Sequence, residues 1–139
     1  MNKISGPLLD RIDIQCEIQP VPFSDISTTK PGEPSSEIRR RVIAARAIQE
    51  ERYKDFKEIH CNAQMTESMI HKYAVPEEAG FRLLSNAMER LSLSARAYSR
   101  ILKVARTIAD LDASPSVSAL HIAEAIGYRN LDRGDWAER

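Results

Sequence analysis

A chain of 139 residues, 42% hydrophobic and 29% charged, can hold one domain with a real core. It buries roughly two-thirds of its unfolded surface, and its composition excludes a wholly disordered protein. Lys plus Arg equals Asp plus Glu at 20 each, so no global field draws the chain onto nucleic acid or an anionic membrane, and any such contact needs a local patch.

No apolar run approaches the roughly 20 residues of a membrane helix. The opening Met1-Asn2-Lys3-Ile4-Ser5-Gly6-Pro7 lacks a signal-peptide apolar stretch, so the expected location is the cytoplasm. From Arg11 to Gln19 the sequence alternates, with Ile12, Ile14, Cys16 and Ile18 on one side and Asp13, Gln15, Glu17 and Gln19 on the other. That period reads as a half-buried strand. A lone strand leaves its backbone donors and acceptors without partners, and no second strand pattern follows. Its sheet is therefore expected outside this chain, in an upstream domain or across a homo-oligomer contact. Cys16 and Cys61, the only two cysteines, fall in different elements without CxxC or paired-histidine spacing. They read as small, reduced, apolar side chains, not as a disulfide or zinc site.

Pro20, Pro22, Pro31 and Pro34, with Gly32 and a cluster of Ser and Thr, mark an extended linker and the domain boundary. Beyond it, Ser35 or Ser36 can cap a helix running toward Tyr53 or Phe56, with Ile38, Val42, Ala45 and Ile48 on its apolar stripe. The opposite side is expected to carry Arg39, Arg40, Arg41, Arg46 and Arg52. A short helix after Thr66 buries Met69, Ile70 and Tyr73, and Pro76 fits the first turn of the next, where its missing N–H is harmless. That third helix carries Phe81, Leu84, Met88 and Leu91. Ser94 caps a fourth with the stripe Tyr98, Ile101, Leu102, Ala105, Ile108 and Ala109, ending before Pro115. A fifth begins near Ser116 or Ser118, buries Ile122, Ala123 and Ile126, and stops at Gly127. The fold class is all-α: a helical bundle preceded by one orphan strand and a Pro-rich linker. A polar tail containing Trp136 follows.

The five glycines are scattered, and nothing matches the GxxxxGK[ST] phosphate loop, a nucleophile elbow, HExxH or a paired acidic metal motif. His60, His71 and His121 sit in different elements and read as surface or satisfied core residues. The chain alone holds no complete active site and no metal site. Two arginines stand out. If Ser94 is the N-cap, Arg96 lies in the first turn, where the helix dipole disfavours a cation by about 0.3–1 kcal/mol. A negative partner such as a nucleotide phosphate would offset that, meeting the free N–H groups and the guanidinium together; spacing alone favours a solvated side chain. Arg11 stands between the Gly6-Pro7 turn and the strand, presented outward or paired with Asp10 or Asp13. The run Arg39-Arg40-Arg41 with Arg46 has no interleaved aromatics and is no base-stacking platform. The last two helices mimic a helix-turn-helix only weakly, because the second offers few side chains that read base edges.

Four stretches together resemble the C-terminal part of the magnesium-chelatase-like AAA+ ATPases, in the ComM (YifB) branch. They are GPLLDRIDI at 6–14, SEIRRRVIAARAIQEERY at 36–53, LSARAYSRILKVARTIADL at 93–111 and HIAEAIGYRNLDR at 121–133. The resemblance implies a C-terminal end of the AAA+ core at 1–20, a linker at 21–35, a helical lid domain at 36–131 and a tail at 132–139. By position, Arg11 matches the arginine finger acting in trans on a neighbour's ATP. Arg96, with Ser94 beside it, matches the sensor-2 arginine that reaches the ATP phosphates of its own subunit. The resemblance further implies ATP and Mg2+ as cofactors of the full-length protein, a homo-hexamer, DNA as substrate in branch migration during natural transformation, and no membrane. Walker A and B motifs are absent, so the ATPase core is expected upstream of this chain. The alternatives are a helical nucleic-acid-binding or protein-interaction module, and the ATPase subunit of a magnesium chelatase.

Overall fold

Ser94, with extended backbone dihedrals, opens the helix around which the molecule is organised. The computed structural model describes residues 8, 11–16, 18–22 and 32–129. Among them are α1 (Ser35–Tyr53), a 3₁₀ turn (Asn62–Gln64), α2 (Glu67–Tyr73), α3 (Glu78–Arg90), α4 (Ala95–Leu111) and α5 (Ala119–Gly127). The architecture is an all-α bundle. Helix α4 lies at its centre and touches α1, the 3₁₀ turn, α2 and α5, while α3 packs on α5.

The stripe expected on α4 is the heart of the core: Ile101, Leu102, Ala105, Ile108 and Ala109 are buried, and Tyr98 packs against them. Tyr53, Ile70, Leu84, Val117, Ile122 and Ala125 close around that stripe. Each fully buried Leu or Ile contributes about 1.5–3 kcal/mol relative to exposure. Gly80 lets α3 and α5 approach closely, since a Cβ there would lie 3.1 Å from Pro76 Cβ and 3.4 Å from the Ala119 nitrogen. A single parallel bridge joins Pro76 to Val117.

Several local expectations change. Helix α1 takes Pro34 as its N-cap residue, with Ser35 already helical. Its apolar stripe is covered only in its last turns: Ala45, Gln49 and Tyr53 are buried, whereas Ile38 and Val42, which continue the stripe, are exposed. Pro76 lies before the N-cap of α3, Glu77, and belongs to the bridge. Phe81 is exposed. On α5 the buried alanine is Ala125; Ala123 faces solvent, because Ile122 and Ala125 are three apart and share the core face. The described part of residues 11–19 forms no strand. Ile12, Ile14 and Ile18 are exposed while Gln15 is buried, so the isoleucine side is the uncovered one. An extended segment without a partner strand has no ladder to join. Glu17, residues 23–31 of the linker and the tail with Trp136 lie outside the described residues.

Helices α3 and α4 both end on a residue in the left-handed region. Ser92 (φ 49°) follows α3, and the Leu93 N–H returns to the Met88 carbonyl. Ala113 (φ 52°) follows α4, and the Ser114 N–H returns to the Ala109 carbonyl. These 6→1 bonds satisfy carbonyls that a helix end otherwise leaves open.

Candidate functional site

Ser94 has extended backbone dihedrals, and its Oγ accepts from the Ala97 N–H at 3.2 Å, an N-cap as the sequence predicts. Arg96 is then the second residue of α4, and it is exposed. Arg100 and Lys103 follow at helical spacing on the same face. The three cations line a cleft of about 510 Å³. Its apolar wall comes from Val104, Ile108 and Tyr128, and its acidic members are Asp13, Glu67 and Glu124.

Two of the three cations are engaged. Arg100 forms an ion pair with Asp13, and Lys103 Nζ donates to the Ala63 carbonyl at 3.0 Å. Glu67 accepts from Ser99 Oγ at 2.9 Å. Arg96 has no hydrogen-bond or ion-pair partner among the described residues, so nothing there offsets its place at the positive end of the dipole. Arg11 lies apart from the cleft lining, exposed in a turn whose N–H bonds the Leu8 carbonyl at 3.0 Å. The segment after it is tied to the bundle through the Asp13–Arg100 pair and two further contacts. Arg129 Nη1 donates to the Ile12 carbonyl at 3.0 Å, and the Gln15 N–H donates to the Tyr128 carbonyl at 2.8 Å.

At the far end of α4 is a buried polar cluster. Asp110 accepts from both terminal nitrogens of Arg52, from Asn62 Nδ2 at 2.8 Å and from Arg106 Nε at 3.1 Å. Burial opposes ionisation of Asp110, but the hydrogen bonds from Arg52 and Asn62 and the two guanidinium charges outweigh it and hold its carboxyl below the ordinary value. Arg106 is pushed below the usual arginine value by burial first, against the pull of Asp110. Its outer nitrogens bind the Ser114 and Pro115 carbonyls and so hold the α4–α5 loop. This cluster fixes α1 and the 3₁₀ turn to α4, whose other end carries Arg96.

Arg52 is thus half-buried and paired with Asp110, which corrects its place with Arg39, Arg40, Arg41 and Arg46 on the side of α1 opposite the apolar stripe. Of the remaining arginines on α1, Arg40 pairs with Glu37 and Arg41 with Glu33. His121 is buried, and its Nδ1 accepts from the Ser118 N–H at 3.1 Å; His60 and His71 are exposed. Cys16 is exposed and Cys61 half-buried, both free. Among the described residues no group of three His, Cys, Asp or Glu side chains is placed to hold a metal, and no helix is long and apolar enough to cross a membrane. Sequence reasoning missed Arg100 and Lys103, although their i+4 and i+7 spacing from Arg96 is a signal that places them on its face. Asp13 and Arg129 carry no such signal, because only the fold brings them to that end.

Residues 32–129 match the family described as magnesium chelatase, subunit ChlI C-terminal, and the chain belongs to that family. Within it the chain falls with the YifB and ComM proteins. It is 40% identical to YifB of Salmonella typhimurium over 96% of its length, covering 26% of that protein. It is 39% identical to the competence protein ComM of Haemophilus influenzae over 96%, covering 25%. A protein of Mycobacterium tuberculosis is 31% identical over 93%, with 25% of it covered. The chain therefore spans about a quarter of the length of these relatives.

Proposed function

We propose that this chain is the lid, with the closing segment of the core, of an ATP-driven AAA+ protein that remodels DNA. Arg96 reads the phosphates of its own subunit's ATP, and Arg11 reaches the ATP of the next subunit in a ring, a homo-hexamer by the family resemblance. The observation that carries this reading is the Arg96 end of α4: an exposed arginine without a partner among the described residues, on a capped helix N-terminus, in a cleft shared with Arg100 and Lys103. A helix N-terminus and three cations suit a polyphosphate, and the apolar wall suits a flat, less polar group beside it. The acidic and histidine side chains described here are not grouped for a cation, so Mg2+ would be carried by the phosphates and by the upstream core. The name ComM, a competence protein, supports DNA as the substrate in natural transformation. The exposed turn at Arg11 suits a residue that acts outside its own subunit.

Such arginines act on charge developing at the transferred phosphoryl group, and a finger is worth about 10³–10⁵ in rate. In the full-length protein Arg11→Ala and Arg96→Ala each abolish most ATP turnover. In mixed oligomers the Arg11 variant impairs its neighbour and the Arg96 variant impairs itself. Near-normal turnover in both variants would overturn the assignment. A nucleic-acid role for α1 is less favoured, because two of its arginines are paired with glutamates and Arg52 is half-buried against Asp110.

A further inference from the structure

Three polar contacts tie residues 12–15 to the bundle. Asp13 pairs with Arg100 across 87 positions of sequence. The Ile12 carbonyl accepts from Arg129, a residue only 2% exposed. The Gln15 N–H is held by the Tyr128 carbonyl. Ile12, Ile14 and Ile18 meanwhile remain exposed. Of the three contacts the Asp13–Arg100 pair is the partly solvated one, where an ion pair opens and closes at little cost, whereas Gln15 and Arg129 are buried. The Asp13 carboxylate also lines the same cleft as Arg96 and occupies Arg100, the cleft cation one helical turn along α4 from Arg96.

We propose that Asp13 is a tethered anion in the Arg96 cleft, which an incoming polyphosphate displaces from Arg100, loosening the 12–15 strap and freeing the adjacent Arg11. The idea rests on the nucleotide reading of the cleft and adds a regulatory step to it. A phosphate and the Asp13 carboxylate repel each other at close range and draw on the same guanidinium, so phosphate binding weakens the Asp13–Arg100 pair. Because Arg11 directly precedes the strapped residues, occupancy of one subunit's cleft is converted into freedom of the arginine that serves the next. Arg129 and the Tyr128 carbonyl are the anchors from which the strap is released, and Asp13 is its trigger.

The test uses the full-length protein, with ATP as the probe. Hydrogen exchange is followed in the peptide covering residues 12–16, and affinity is measured with a fluorescent ATP analogue. In the wild type, saturating ATP speeds exchange of the Gln15 amide. Asp13→Asn exchanges quickly even without nucleotide and binds ATP roughly twofold to fivefold more tightly, the range expected on removing one competing exposed ion pair. Arg100→Ala also exchanges quickly but binds more weakly, which separates loss of the strap from loss of a phosphate contact. Exchange at Gln15 that is indifferent to bound ATP, or Asp13→Asn that binds no more tightly than wild type, would overturn the proposal. The wild-type measurement needs no variant to fold. Failure of the finger reading is distinct: Arg11→Ala then keeps its turnover while the ATP-dependent exchange and the Asp13→Asn affinity gain persist.

Discussion

Arg52 and Asp110, 58 positions apart, form a two-pronged ion pair in which the carboxylate is fully buried and the guanidinium 14% exposed. The pair joins the last turn of α1 to the last turn of α4, and Asn62 and Arg106 fill the remaining acceptor sites of the carboxylate. Removing the anion leaves the buried Arg106 guanidinium and the half-buried Arg52 guanidinium without their shared counter-charge. Asp110→Ala therefore destabilises the bundle by about 3–5 kcal/mol, the cost of breaking a buried pair from one side. Urea unfolding followed by circular dichroism checks this. Loss of under about 1 kcal/mol, the range of an exposed pair, would contradict the geometry.

The same carboxylate sets an acid limit. Its value in the folded chain lies below its ordinary one, so the unfolded state binds a proton more readily. The stabilisation it contributes is complete above the unfolded value and is lost as pH falls through the folded one. Melting temperature measured between neutral pH and strongly acid conditions should fall in that window. Asp110→Asn should be less stable near neutrality and flatter with pH there.

Helices α2 to α5 were legible because their apolar residues recur every three or four positions and their starts carry ordinary signals, Thr66 and Ser94 among them. The Ser94 cap and the exposed Arg96 follow from adjacent residues alone. Arg52 was misread for a physical reason. It falls in a basic run on α1, and nothing local distinguishes an arginine that finds Asp110 in space from one that meets water. Ile38 and Val42 misled in the opposite direction: they have the right spacing for a core face, but no described element covers that half of α1. The cleft was legible only on the α4 side, since its Asp13 and Tyr128 walls depend on how the chain ends return.

Ala113 holds φ 52° at the residue after the C-cap of α4. A side chain in the left-handed region costs about 1–2 kcal/mol that glycine does not incur, partly offset by glycine's larger unfolded entropy. Ala113→Gly should therefore raise stability by about 0.5–1 kcal/mol. Thermal melts of the two chains measure this, and a lower melting temperature for Ala113→Gly would count against the left-handed cap. The Ser114 N–H to Ala109 carbonyl bond should survive the change.

His121 occupies the third position of α5, where a Glu or Gln ordinarily reaches back to the N-cap N–H. The Ser118 N–H points at Nδ1 at 3.1 Å, so Nδ1 is the acceptor and Nε2 carries the hydrogen, donating to Asp112 Oδ2 at 3.1 Å. One imidazole thereby caps α5 and pins the residue that ends α4. His121→Ala removes both contacts and should cost about 0.5–2 kcal/mol, the range for losing a helix cap. His121→Gln keeps an acceptor for the Ser118 N–H and should recover part of that loss, while Asp112→Ala, which removes an exposed partner, should cost less than His121→Ala. Chemical denaturation of the three variants ranks them. If His121→Gln were as unstable as His121→Ala, the Ser118 contact would carry no stability and the imidazole's contribution would lie in packing and the Asp112 contact.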